Sequence, residues 1–329
     1  MGIKKLVLLV VLFTTQFSFS QEGIAVYSDY LSDNYYLLHP SMAGAASCAK
    51  LRVTARQQWS GQTDAPALQT ISFNGRISDQ DGAGAIAYND KNGFHSQTGF
   101  KLSYAHHIMF SRDDIDLNQL SFGVNVGIVQ SKLDETSFKE YDPIIGGIVQ
   151  TDSYFNVDLG MSYNYLDFYA HVTVKNAVET RRQLYTEFES DNIRKLILNA
   201  GYTFGEEDGL LWEPSVMFQS ISQTKESTID LNIKAYKQLE IGKLWGALSY
   251  RRSLDGAEYR DTNGSVKTQK LQYITPILGL NYQNFMFSYT YTYLSGSVNF
   301  DNAGYHQITL GMNLFCKPEK YHCNCPAIN

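Results

Sequence analysis

Phe285-Met286-Phe287-Ser288-Tyr289-Thr290-Tyr291-Thr292-Tyr293 carries an aromatic ring at every second position. Between Phe287 and Tyr293 the alternate positions are Ser288, Thr290 and Thr292. A strand sends successive side chains to opposite faces, so this segment has one aromatic face and one hydroxyl face. A helix would scatter the same rings around its circumference. A sheet built from such strands either packs two apolar faces together as a sandwich or closes with its apolar face towards lipid.

The pattern recurs along the chain. Lys50 to Trp59 sets Arg52, Thr54, Arg56 and Gln58 against Leu51, Val53, Ala55 and Trp59, with Gln57 out of place. Ala67 to Ile77 sets Thr70, Ser72, Asn74 and Arg76 against Ile71, Phe73 and Ile77. Further strands are predicted near 83–90, 97–109, 117–131, 153–165, 167–177, 193–204, 210–221, 227–238, 242–252, 268–282, 284–295 and 304–315, making about 14. Each is long enough to cross a bilayer at a tilt.

The connections decide between sandwich and barrel. Counted from the first strand, the even ones are short, as at Leu166-Asp167 and Gln283-Asn284. The long ones, Leu133 to Asp152, Val178 to Asn192 and Ser253 to Lys267, are all odd. Outer-membrane barrels alternate short periplasmic turns with longer external loops, whereas a soluble sandwich has no reason to sort its loops by parity. The expectation is therefore an all-β, transmembrane antiparallel barrel over 50–315. An even strand count puts both termini on the periplasmic side.

Composition agrees. Among 329 residues, 23 Tyr and 18 Phe lift the aromatic share to 13%, as a barrel with aromatic girdles requires. No later stretch approaches 18 consecutive apolar residues, so no transmembrane helix is expected. Residues 1–20 read as a secretory signal peptide, with Lys4 and Lys5 before an apolar run and Ser18-Phe19-Ser20 before Gln21. Their removal takes two of 27 basic residues and none of the 33 acidic ones, moving the formal charge from −6 to −8. An acidic chain without a basic cluster argues against nucleic acid as a partner. Residues 21–49 read as an ordered periplasmic arm lying in or under the lumen, and 316–329 as a periplasmic tail.

Candidate functional groups are few. The inward face is expected to carry Arg52, Arg56, Arg76, Asp158 and Lys195, lining a selective pore or pairing inside a plugged barrel. Cys48, Cys316, Cys323 and Cys325 form an even set in an oxidising compartment, so disulfides are expected. Cys48 precedes the first strand and Cys316 follows the last, so Cys48 should bond to Cys316 or Cys323. A metal site from Cys316, His322, Cys323 and Cys325 lacks zinc-knuckle spacing. His106 and His107 are adjacent on a strand and point to opposite faces. The acidic clusters Asp113-Asp114 and Glu206-Glu207-Asp208 fall in turns. Gly82-Ala-Gly-Ala85 lacks the ending of a phosphate loop, and no Gly-x-Ser-x-Gly elbow occurs. No enzyme and no cofactor is expected.

Leu38-His-Pro-Ser-Met-Ala-Gly44, Arg56-Gln-Gln-Trp-Ser-Gly61 and Ala65-Pro66 resemble the PorP/SprF family of the type IX secretion and gliding machinery. Leu120-Ser-Phe-Gly123, Phe155-Asn-Val-Asp-Leu-Gly160, Glu213-Pro-Ser215 and Tyr305-His-Gln-Ile-Thr-Leu-Gly311 resemble its later landmarks. The resemblance implies an outer-membrane barrel without catalysis that binds and anchors, or helps secrete, a large adhesin-type surface protein through that cargo's C-terminal domain. It also implies periplasmic secretion or motility components as partners. The external loops Leu133 to Asp152 and Val178 to Asn192 are the expected cargo contacts. The alternative function is a small-solute porin or transporter.

Overall fold

The computed structural model describes residues 31–32, 34–58, 65–111, 116–136, 147–180, 193–206, 209–222, 224–260, 263–295 and 304–317, together with 323 and 328. The expected signal peptide, residues 21–30 of the arm, the centres of two expected cargo loops (137–146 and 181–192), His322 and Cys325 lie outside them.

The strands follow the order β1 (Ala49–Gln58), β2 (Ala67–Arg76), β3 (Asp81–Asn92), β4 (His95–Met109), β5 (Asn118–Asp134), β6 (Val149–Tyr165), β7 (Phe168–Lys175) and β8 (Lys195–Tyr202). Then come the two-residue β9 (Phe204–Gly205), β10 (Leu210–Ile221), β11 (Ser227–Leu239), β12 (Gly242–Ser253), β13 (Ala257–Arg260), β14 (Val266–Gln269), β15 (Gln272–Tyr282), β16 (Phe285–Ser295) and β17 (Tyr305–Leu314). Barrel strands pair antiparallel with their chain neighbours, and β17 pairs with β1 from Ala49↔Leu314 to Gln58↔Tyr305. The sheet thus closes on itself as a 14-stranded barrel, with β9, β13 and β14 outside the count. Closure removes the edges that an open sheet would expose.

Side-chain alternation fixes which face is outside. On β16, Phe285, Phe287, Tyr289 and Tyr293 are exposed while Met286, Ser288, Thr290 and Thr292 are buried. Phe122, Val126 and Ile128 on β5, and Leu231 and Ile233 on β11, are likewise exposed. Monomers in water rarely expose contiguous apolar patches beyond a few hundred Å², so this continuous apolar belt is a lipid-facing surface. Among the described residues no helix is long and apolar enough to cross a membrane.

Two boundaries differ from the sequence expectation. β5 and β6 run on to Asp134 and from Val149, so the ends of the expected Leu133–Asp152 loop are strand. Residues 266–269 do not open β15 but pair with 257–260 in a separate hairpin. Asn263-Gly264, with Gly264 at φ +77°, supplies a left-handed residue at that hairpin's tip. Asn-Gly is a strong short-range hairpin signal, so this β-prone segment finds its partner locally.

Candidate functional site

The barrel has a rim where β1 begins and β17 ends (the terminal rim) and an opposite rim bearing the long connections (the loop rim). From the terminal rim, residues 31–48 run into the lumen. Their two 3-10 turns, Tyr35–Leu37 and Pro40–Met42, are buried, as are Leu31, Tyr35, Tyr36, Leu38, Met42 and Ala43. Together with Ile86, Tyr169, Met217, Tyr236, Trp245 and Met286 of the wall they form the hydrophobic core. Burying a large apolar side chain contributes about 1.5–3 kcal/mol, so the arm has a strong apolar reason to stay.

The wall is shaped for it. A Cβ on Gly82 would meet the Ala43 carbonyl at 2.0 Å, and one on Gly123 would meet Pro40 backbone at 2.3 Å. A Cβ on Gly84 would meet the Tyr36 hydroxyl at 2.5 Å, and one on Gly160 would meet the Pro40 ring at 2.9 Å. Glycine is what lets the arm backbone approach the sheet this closely.

Polar groups complete the seat. Glu213 on β10 accepts from three tyrosines: Tyr35 (2.9 Å) and Tyr169 (2.7 Å) at Oε1, and Tyr236 (2.5 Å) at Oε2. Asn34 donates to Ser72 (3.2 Å), the Gly44 amide to Asn74 (3.1 Å), and Lys175 to the Leu37 carbonyl (3.1 Å). The hydroxyls of Tyr36 and Ser103, and of Ser41 and Ser162, lie 2.5 Å apart. Nδ1 of His39 sits 2.8 Å from the Thr173 hydroxyl, and its ring packs 4.8 Å from that of His171. Burial, with His171 and Lys175 nearby, holds His39 well below the usual histidine value, so it is neutral. The Tyr36 hydroxyl is pushed up by burial and stays protonated.

The five lumenal charges expected from sequence are not brought together. Arg76 donates to the Gly44 and Ala45 carbonyls (3.2 and 3.1 Å) and clasps the arm where it leaves the lumen. Arg52 donates to the Leu51 and Met312 carbonyls and to Asn313, in space left by Gly311. Towards the loop rim, Arg56 makes two bonds to Gln307 Oε1 and lies 4.4 Å over the Tyr305 ring. Asp158 pairs with Lys101 at 2.7 Å, and Lys195 is buried on β8. Inward charges not anticipated include Lys101, Asp230 and Arg251, the last two joined by two bonds of 2.7 Å, and Glu213. Glu213 had a signal, since it occupies an alternate position facing inward between Leu211 and Ser215.

His107 points inward and donates from Nε2 to the Ala43 carbonyl at 3.0 Å, while His106 faces outward beside Asp81. At the terminal rim Cys48 is bonded to Cys316, and Cys323 is also in a disulfide. The Ser47 amide donates to the Ile328 carbonyl (2.8 Å), the Lys317 amide to Ser47 (3.2 Å), and Ile328 packs against Leu117 and Met109. Arm exit and tail are therefore tied together. Among the described residues no group of metal-ligating side chains gathers.

A closed apolar belt around a polar lumen defines an outer-membrane β-barrel, here one filled by its own N-terminal segment. The chain matches the family described as type IX secretion system membrane protein PorP/SprF over residues 19–312, and it belongs to that family. It is thus a type IX secretion protein of the outer membrane. Among curated proteins none matches it at a significant level. Solved structures similar to it include the TodX monoaromatic hydrocarbon channel deltaS2 mutant, at 9% identity over 85% of this chain and 93% of that one, TM-score 0.48. CdiB from Acinetobacter baumannii aligns at 10% identity over 80% of this chain, TM-score 0.45, and the chain spans 59% of its length. Salmonella typhi OmpF in complex with daunomycin aligns at 12% over 81% and 96%, TM-score 0.36. At these scores the likenesses carry no conclusion about function.

Proposed function

We propose that this barrel binds and anchors, or helps secrete, a large adhesin-type surface protein through the cargo's C-terminal domain. In this reading the loop rim faces outward and meets cargo, while the terminal rim, with its tied arm and tail, faces periplasmic secretion and motility components. The protein carries no catalysis of its own. The observation that supports the reading most is the arm in the lumen. It occupies the bore with an apolar core and with hydrogen bonds to the wall, three tyrosines on Glu213 among them, which leaves the two rims as working surfaces. A small-solute channel would have to pass this segment or displace it.

Detergent purification of the tagged protein from its own outer membrane, with mass spectrometry of what accompanies it, tests this. A large surface protein held through its C-terminal region is the expected result. A partnerless barrel that conducts steadily in planar bilayers would replace the reading with the channel. Deleting 137–146, which spares the paired ends of β5 and β6, should lower cargo retention while the barrel stays folded.

A further inference from the structure

The outward wall of β3, β4 and β5 changes chemistry in steps as it rises towards the loop rim. Strand pairing sets the steps. Ala87, Phe100 and Ile128 stand side by side in one row, and Phe100 and Ile128 are exposed members of the lipid-facing belt. Two residues further along each strand the same face presents Asn89, Thr98 and Gln130. The next step presents Lys91, Ser96 and Lys132. At about 3.3 Å per residue, the lysine row lies about 13 Å along the strands from the Phe100 row. Apolar, then amide and hydroxyl, then cationic is the order that matches a leaflet passing from acyl chain to anionic headgroup.

A cavity of about 420 Å³ opens at this level, and Asn89, Lys91, Phe94, Ser96, Lys132 and Asp134 are among its walls. Adjacent strands lie about 4.8 Å apart, so Lys91 and Lys132, with the strand of Ser96 between them, have backbones about 10 Å apart. Lysine side chains span that gap from both sides and converge on one anion, with the Ser96 hydroxyl between them. Lys132 pairs with Asp134 at 3.1 Å. An ammonium has three N–H donors, so this bond holds the lysine at the cavity without exhausting it. The opposite end of the same wall carries the opposite charge. At the terminal rim the outward Asp81 accepts from Tyr104 (2.6 Å) and lies 2.8 Å from His106. An anionic headgroup therefore finds its counter-charge at the loop rim.

We infer that this cavity binds the phosphorylated sugar headgroup of an outer-leaflet glycolipid, with Lys91 and Lys132 on a phosphate and Asn89 and Ser96 on sugar hydroxyls. The occupant follows from continuity with the lipid-facing belt. A lipid that packs its acyl chains on Phe100 and Ile128 carries its headgroup to the lysine row. Phosphate suits the ammonium pair through charge-assisted hydrogen bonds, and amide and hydroxyl side chains suit a sugar. The inference rests on the loop rim facing outward, as in the anchoring reading, and adds a specific lipid partner to it.

The test uses the full-length protein in mild detergent, with native mass spectrometry reading what it binds. Diphosphoryl lipid A is the probe, and phosphatidylglycerol and inorganic phosphate are the competing sources of phosphate. Lys91→Gln with Lys132→Gln should weaken lipid A binding about tenfold, while Lys91→Arg with Lys132→Arg should keep it. Lys237→Gln with Lys243→Gln makes the same charge change around the turn between β11 and β12 and should leave binding at the wild-type level. Equal lipid A binding by the wild type and the Lys91, Lys132 glutamine pair overturns the site. Lysine-dependent binding of phosphatidylglycerol or inorganic phosphate as tight as that of lipid A overturns the glycolipid. A protease site inserted in 137–146 tests the orientation separately. Cleavage on intact cells supports the outward rim whatever the lipid result. Cleavage only after the outer membrane is opened overturns the orientation and the glycolipid together. Should the glutamine pair fail to fold, as read by heat-modifiable migration, a photo-cross-linking residue at Ser96 decides. An adduct with lipid A supports the site, and no adduct overturns it.

Discussion

The two halves of the lumen solve the same problem with different materials. Near the terminal rim the wall gives up side chains, and Gly82, Gly84, Gly123 and Gly160 leave room for a separate piece of chain. Near the loop rim the wall fills itself with paired charges, Lys101 with Asp158 and Arg251 with Asp230, and with Arg56 against Gln307 and Tyr305. A 14-stranded barrel is too wide for ordinary side chains to close alone. One half recruits a plug. The other pairs its longest side chains along the wall, Arg251 with Asp230 and Arg56 with Gln307 between adjacent strands and Lys101 with Asp158 across β5, and an ion pair in such a site holds geometry more than it adds stability. The difference shows that the arm is a structural layer of the barrel and not an appended tail.

That contrast can be broken most severely at the glycines. Gly123→Leu drives a side chain into Pro40 backbone, where overpacking costs about 1–3 kcal/mol or more and the backbone cannot yield as a side chain would. The arm should leave its seat, seen as rapid chymotrypsin cleavage at Tyr35 and Tyr36 in the folded barrel. Gly246→Ala, whose new Cβ would meet nothing closer than 3.5 Å, should stay protected.

Next in size is Glu213→Leu. It removes the shared acceptor of Tyr35, Tyr169 and Tyr236, at about 1.5–3 kcal/mol for each bond to the charged acceptor that is lost, while the Tyr35 and Tyr169 hydroxyls, 2.8 Å apart, keep each other. Thermal unfolding in detergent should show a clear drop, and Glu213→Gln, which keeps an acceptor, a smaller one.

The third effect is a pH dependence. Seated His39 is neutral because burial depresses its pKa, whereas in a released arm it titrates near 6.5. The released state therefore binds the extra proton, and seating should weaken as pH falls below about 6.5, by up to about 1.4 kcal/mol per pH unit. Protease protection measured from pH 8 to 5 reads this, and His39→Asn should make the slope shallower, with His107 and His171, which also touch the arm, supplying the rest.

Arg76→Leu should have the smallest effect, about 1 kcal/mol, from two carbonyl contacts in a half-buried site. Faster amide hydrogen exchange near Gly44 to Ala46, with the rest of the arm unchanged, is the expected readout.

Much of the fold was legible because a membrane barrel writes its geometry into period two and into loop parity. Phe285 to Tyr293 announced lipid on one side and lumen on the other, and the structure keeps both faces. The Cys48–Cys316 bond was legible as one of two pairings, because closure of a sheet makes its first and last strands neighbours. The arm's seat was not. Leu38 to Gly44 has no period, and single glycines on strands read as ordinary weak points. Nothing local tells that Gly123 and Gly160, far from Pro40 in the chain, end up against that one residue, Gly123 at its backbone and Gly160 at its ring.

By itself the sequence determined the class of fold, its strand number, the membrane-facing surface and the family, since all of these depend on near-neighbour alternation and on order along the chain. The tertiary structure decided what fills the lumen, which carboxylate gathers Tyr35, Tyr169 and Tyr236, and how far β6 runs beyond its pairing with β7. Those depend on which strands face each other across the bore and how far each rises beyond the next. Curvature and stagger set that only once the sheet has closed.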